Sequence, residues 1–435
     1  MWYLEHLSVE GLVPGPIMRK SSFCDIIRNG TMVPGLTRDV QHYFDSSSMM
    51  QHVSIPDNLS VTALYGESGM SLTDASVEQR HNIILEIPAN YLYFIGPVKI
   101  KLLFEKFRIV ITDFEDGGVW SNNNLISKVL MPANTVPTYP VVYATSSVNI
   151  NSIPQLNLVH MHVPYWLFHT SEFSHRTYGS NVDHYAEKIA ECHYDKSLLF
   201  LNFKPRLYRM RALTWMHNKG LLHNHNLTWS LVDSAYAKNK HQDNRDAPPD
   251  VTLTPSDQLH LQNTAKLSQV EKVDYENFLQ SYEFPRIHTP LDNTEQVLNS
   301  AHTDFAKYYW NLSVETGYGN EFPLRHKLGG ISFLTEKTYK SFTQASMPLV
   351  LCDSNSYEYL TQQGFKVDNL LLDSYNSEDK FKNTMQLVQE ILESSRKPDT
   401  DKLIHNFLTI TDISHSAKIF SQCLINLIDH YDSSK

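Results

Sequence analysis

The chain has 435 residues, enough for two or three domains that each bury a core, and its 41% hydrophobic content with 23 Tyr and 20 Phe excludes a disordered chain. A formal net charge of −10 argues against a nucleic-acid coat protein, because general duplex binding rests on Lys and Arg. No apolar run approaches the roughly 18 residues of a spanning helix. The opening Met1–His6 lacks the basic and apolar regions of a secretory signal, and Cys24, Cys192, Cys352 and Cys423 lie far apart with no pair at metal-ligand spacing. A reduced, cytoplasmic setting is expected.

In chain order, the first 60 residues mix Gly, Pro and Ser with short apolar pieces and predict irregular structure with few regular elements. From about residue 80 the pattern turns β-like. Asn82–Ile87, Val98–Leu103, Arg108–Thr112, Val141–Thr145 and Leu156–His160 read as strands. A short helix is expected over Tyr185–Cys192 and a strongly apolar strand over Ser197–Asn202. Pro205–Gly220 predicts a helix with Leu207, Met210, Leu213 and Met216 in one stripe and Gly220 closing it. Thr228–Val232 supplies another strand, and the polar stretch from 235 to 268 a long loop. A helix near Val270–Ser281 precedes a strand over Phe305–Val314. Beyond residue 335 the expected order is a helix opening at Glu336, a buried strand Pro348–Leu351, a helix Tyr357–Gln363 and a strand or loop Asp368–Leu372. Amphipathic helices over Asp379–Ser395 and His415–Tyr431 follow. Strands alternating with helices from about 197 to 395 imply a parallel sheet, which binds ligands beyond the carboxyl ends of its strands.

The richest chemistry lies in Thr335-Glu336-Lys337-Thr338-Tyr339-Lys340. With Thr335 as N-cap, a helix N-terminus offers free N–H groups and partial positive charge to an anion. Glu336 can accept from ribose hydroxyls, and Lys337 and Lys340 can neutralise a diphosphate. The bland reading is a surface helix carrying a Glu336–Lys340 pair at i,i+4, worth about 0.3–0.5 kcal/mol.

Arg206, Arg209 and Arg211 cluster at a helix start, where cations are unfavourable. An anionic ligand gives Arg206 and Arg209 a reason; a solvated basic face is the alternative. Glu315 ends an apolar strand, placed to bond a sugar, to orient a lysine or to form a structural salt bridge.

Asp113, Glu115 and Asp116 follow a strand and precede Gly117-Gly118, a turn that admits close approach. One of the three is the expected general base; an acidic turn in solvent is the competing reading. His162 is a weaker candidate base. His160 with His162, and His223 with His225, lack a third ligand at a recognised spacing and read as structural. No dinucleotide fingerprint, P-loop, nucleophile elbow or kinase loop occurs. An Asp-x-Asp metal signature is read as missing too, so no metal is expected. The departing diphosphate would be met by Lys, Arg and helix N–H groups instead.

Several of these pieces resemble known families. The α-1,3-fucosyltransferases carry a Thr-Glu-Lys segment before a Pro-Val-Val strand. A nearer likeness is to the glycosyltransferase family of bacteriophages and marine bacteria. Its pattern is matched by Glu315-Thr316, by Phe333-x-Thr335-Glu336-Lys337-Thr338-x-Lys340 and by Pro348-Leu-Val. Tyr357-x-x-Leu360-x-x-x-Gly364-Phe365 and Asp373-Ser-Tyr-Asn376 match further on. The likeness spans roughly residues 195 to 395. Ser341 stands where that family has Pro, and Asp373-Ser374-Tyr375-Asn376 lacks one of its acids.

The resemblance implies an α/β protein of two Rossmann-like lobes, the GT-B arrangement. Residues 1–195 would form an acceptor-side lobe, 196–400 a nucleotide-sugar-binding lobe, and 401–435 a C-terminal helix packing across both. It implies an inverting glycosyltransferase with a nucleotide-diphosphate sugar as co-substrate and no separate cofactor. The acceptor is a glycan, a protein or a modified DNA base, in the host cytoplasm if the protein is viral. The rival is a virion-associated binding protein that keeps the fold without turnover.

Overall fold

The structure is a computed structural model. It describes residues 3–9, 23, 52–55, 83–89, 100, 101, 103, 104, 107–114, 137, 139–146, 157–202, 207–231, 273, 274, 277, 305–315, 334–352, 356–371 and 380–433. The protein is α/β, with two all-parallel sheets flanked by helices, and its described residues divide into two compact units.

The first unit holds the described residues up to 173 and those from 412 onward. Its strands are β1 (Tyr3–Val9), β2 (His52–Ile55), β3 (Ile83–Pro88), β4 (Arg108–Asp113), β5 (Val141–Thr145) and β6 (Leu158–His162). They pair in the order β2-β1-β3-β4-β5-β6, every pair parallel. Ile109, Val110, Ile111, Val142 and Tyr143 are all buried, the continuous apolar reading of a parallel sheet covered on both faces. The buried carboxylate of Glu86 on β3 accepts from the backbone N–H of Phe23 at 2.6 Å, so the acid is not left uncompensated in the core.

The opening 60 residues, expected to be irregular with few regular elements, contain β1 and β2, which pair with each other over His6–Val9 and His52–Ile55. One expectation fails in this unit: of the strand expected over Val98–Leu103, the described Ile100, Lys101 and Leu103 are helical, as is Phe104, and Phe107 N–H donates to Leu103 O at 2.9 Å. Alternating Val98, Ile100 and Leu102 suggested period two. The buried set is Ile100, Leu103, Phe104 and Phe107, the i, i+3, i+4, i+7 spacing of a helix.

Helix α1 (Tyr165–Tyr178) follows β6 and contains the boundary between the units. The second unit runs over the described residues from 174 to 411 and includes helix α2 (Val182–Glu191), so the division falls before the expected 195/196. Its strands are β7 (Lys196–Asn202), β8 (Leu227–Leu231), β9 (Tyr308–Val314) and β10 (Met347–Leu351), paired in parallel in the order β10-β9-β7-β8. Helix α3 (Leu207–Asn218) follows β7 and stops at Gly220, whose φ of 69° is the left-handed conformation that glycine adopts without penalty. Helix α4 (Glu336–Thr343) leads into β10, and Phe342 stacks on Phe365 at 4.2 Å beneath it. Helices α5 (Ser356–Gln362), α6 (Lys380–Ser394) and α7 (Thr400–Thr411) complete the unit.

The expected single C-terminal helix is two. Asp412 caps α8 (Ile413–Asp432), its side chain accepting from Ser414 N–H at 3.0 Å. Helix α7 belongs to the second unit and α8 to the first, where Phe420, Leu424, Leu427 and Ile428 join the core around Val110 and Val142. Among the described residues no helix is long and apolar enough to cross a membrane.

Candidate functional site

In the second unit the chain runs from β7 outward to β8, then returns to lay β9 on the other side of β7. Strand order therefore reverses between β7 and β9. Open parallel sheets bind their ligands beyond the carboxyl ends of the strands at such a switch point. Arg209, 4% exposed on the first turn of α3, reaches across it, its Nη2 donating to the carbonyl of Val314 at 3.2 Å. The next residue, Glu315, is 2% exposed, and its N–H donates to Leu351 O of β10 at 3.0 Å.

The Glu315 carboxylate is spent on the start of α4. Oε1 accepts from Thr335 N–H at 3.1 Å and from the Thr338 hydroxyl, and Oε2 accepts from the Thr335 hydroxyl at 2.7 Å. Thr335 is the N-cap that the sequence predicts, with Oγ1 accepting from Lys337 N–H at 3.3 Å. Thr338 N–H donates to Thr335 O at 3.2 Å. Of the N–H groups that the sequence offers to a phosphate, those of Thr335, Lys337 and Thr338 thus have acceptors within the chain, and the buried acid at the end of β9 holds that of the N-cap. Cationic side chains are what the helix start offers.

Those cations are unevenly compensated. Lys337 Nζ donates to Glu336 Oε1 at 3.0 Å and to Thr335 Oγ1 at 3.1 Å. Lys340, half-buried one turn on, makes no side-chain hydrogen bond among the described residues. Burial, reinforced by the charge of Lys337 and opposed by Glu336, pushes its ammonium down to about 8. For Glu336 burial acts to raise the carboxyl. The charges of Lys337 and Lys340, with the Lys337 hydrogen bond, outweigh it and hold the group at about 2. The helix start thus carries two cations beside the Glu336 anion, with the Glu315 carboxylate behind Thr335, at the mouth of the sheet.

The remaining expected residues are scattered. Arg206, Glu115 and Asp116 lie outside the described residues. Arg211 stacks over Phe381 of α6 at 4.7 Å. Asp113 ends β4 in the first unit, 8% exposed, with Oδ2 accepting from Tyr143 Oη at 2.7 Å. His160 and His162 lie on β6, and His223 follows α3. Among the described residues no group of three or more His, Cys, Asp or Glu is placed to hold a metal ion.

The sequence reading passed over one Asp-x-Asp, Asp399-Thr400-Asp401. It opens α7, where exposed Asp399 accepts from Asp401 N–H at 2.9 Å, a capping arrangement. Two further residues went unnoticed, and each had a signal. Thr338 stands three residues after the N-cap, on the next turn of the same helix face. Tyr143 is the diagonal neighbour of Asp113, which registers with Thr145.

No protein-family model, curated protein or solved structure matches this chain.

Proposed function

We propose that the chain is a glycosyltransferase that takes a nucleotide-diphosphate sugar at the β7–β9 switch point of its second unit. The observation that carries the reading is the Lys340 ammonium, half-buried without a hydrogen bond among the described residues, beside Lys337 and Glu336. Holding a cation out of water without a fixed partner is costly, and an anionic ligand removes the cost. Lys337 and Lys340 would bind the diphosphate and Glu336 the ribose, with Arg206 and Arg209 as further donors. The Thr-Glu-Lys motif and its likeness to fucosyltransferase and phage glycosyltransferase patterns supply the donor class, the GT-B arrangement and the inverting, metal-independent course. Asp113 of the first unit is the described candidate for the base that takes the acceptor proton.

Thermal unfolding with GDP, UDP, CMP and dTDP, and with their sugars, tests the reading, with Lys337→Ala alongside. A ligand at 100 times its Kd adds about 2.7 kcal/mol to the folded state. One nucleotide class should stabilise the natural chain and not the variant, and transfer should then be found with that donor. A folded protein stabilised by none of them overturns the proposal.

A further inference from the structure

The donors and acceptors around Thr335 form an ordered series. Its hydroxyl donates to Glu315 Oε2 at 2.7 Å and accepts from Lys337 Nζ at 3.1 Å. Glu315, Thr335 and Thr338 are each no more than 3% exposed, whereas the Lys337 side chain is 34% exposed. The series thus runs from a buried carboxylate at the end of β9 outward to a cation with a solvent-facing side. A hydroxyl that already gives its proton to a carboxylate is a better acceptor for the ammonium, since hydrogen bonds in a chain polarise one another. An ammonium has three donors, and two of those on Lys337 are used, on Thr335 and Glu336. The third has no partner among the described residues and can face a ligand.

We infer that Glu315 and Thr335 are positioning residues, which fix the Lys337 ammonium for an anionic ligand through the Thr335 hydroxyl and do not themselves touch that ligand. Thr338 belongs to the same device, because its hydroxyl also donates to the Glu315 carboxylate. Of the alternatives the sequence leaves to Glu315, this selects the orientation of a lysine, and it gives Thr335 a task beyond the N-cap. It rests on the reading of the site as an anion site, though not on the identity of the sugar.

The test is a double-mutant cycle on the full chain, with inorganic pyrophosphate and the nucleoside diphosphates GDP and UDP as probes in titration calorimetry. Thr335→Val keeps the shape and removes the hydroxyl; Thr335→Ser restores it. Thr335→Val should weaken pyrophosphate about tenfold, as befits a lost hydrogen bond to a charged group, and Thr335→Ser should recover most of that. In a Lys337→Ala background Thr335→Val should cost nothing further, because the residue through which it acts is gone. A merely structural role would weaken binding by the same factor in both backgrounds, and that outcome overturns the inference. So does undiminished binding by Thr335→Val. If Thr335→Val fails to fold, Thr338→Val against Thr338→Ser makes the same comparison one bond further back. Pyrophosphate binding with the expected coupling, but no binding of any nucleoside diphosphate or its sugar, would leave this inference standing and remove the glycosyltransferase reading. No binding of any probe by the natural chain would remove both.

Discussion

Glu336 pairs with Lys337 beside it, Oε1 to Nζ at 3.0 Å, and not with Lys340 one turn on. Among the described residues no ion pair joins Glu336 to Lys340 at i,i+4, where the bland account of this segment puts one. Thr335 explains the difference: its hydroxyl draws Lys337 Nζ back toward the N-cap, within reach of Glu336. Lys340 keeps only a longer-range attraction to Glu336, too weak to offset its burial.

Lys340→Met should therefore make the protein more stable. The natural side chain has an ordinary value of 10.5 and is held near 8 in the folded state. Below pH 8 both states carry the proton and folding pays to bury the charge. Between 8 and 10.5 the unfolded chain binds a proton that the folded chain has lost, so stability rises with pH. The variant should gain about 1–3 kcal/mol at pH 7, and the gain should shrink as pH climbs from 8 toward 9.5. Urea unfolding of both proteins across that range checks it, below the pH at which unfolded tyrosines ionise. A constant difference would mean that Lys340 keeps its ordinary protonation.

Glu336→Gln should act with the opposite sign. The carboxyl lies near 2 in the folded state against an ordinary 4.5, so the stability it contributes is present above pH 4.5 and disappears as pH falls toward 2. The variant should lose about 1–3 kcal/mol at pH 7, discounted for the partial exposure of the pair, and match the natural protein near pH 2. With Glu336 neutral, the Lys340 ammonium should also move further down, which a lysine NMR titration reads directly.

The second unit was the more legible in sequence, for reasons that particular residues make plain. Thr335-Glu336-Lys337 announces a capped helix start, and Leu349-Val350-Leu351 is too short and too apolar for anything but a buried strand. Helix α1 was missed because its buried face includes Thr170, Ser171 and Ser174 beside Leu167 and Phe168, leaving no apolar stripe to detect. The break between α7 and α8 rests on Asp412, one polar residue among many, until Ser414 N–H is seen on its carboxylate. At the start of α4 the N-cap was legible in sequence, and the acceptors of its N–H groups were not. Only the fold brings Glu315 to Thr335 and Thr338, 20 and 23 positions away in the chain.

Asp113→Asn should separate chemistry from donor binding. If this carboxylate takes the acceptor proton, its loss should lower turnover about 10²–10⁴-fold, while leaving nucleotide-sugar affinity in the second unit unchanged. Tyr143→Phe removes the hydroxyl that orients it, at about 1–2 kcal/mol of stability, and should shift the pH profile of turnover. Single-turnover kinetics beside equilibrium titration of the donor distinguishes the cases; an undiminished rate for Asp113→Asn rules this residue out as the base.

Helix α8 should be indispensable to the first unit although it comes last in the chain. Phe420 is fully buried, 5.7 Å from the ring of Phe23 and 5.2 Å from that of Phe168, and Tyr431 Oη donates to Ile109 O at 2.5 Å on β4. Phe420→Ala opens a cavity among these rings and should cost about 3–5 kcal/mol. Tyr431→Phe leaves the Ile109 carbonyl without that donor and should cost about 1–2 kcal/mol. Two units with separate cores need not unfold as one, so calorimetry should show the loss in the transition of the first unit. Pyrophosphate should still stabilise the other transition, since Lys337 and Lys340 belong to the second unit. Equal loss in both transitions would instead mean that the two units unfold cooperatively.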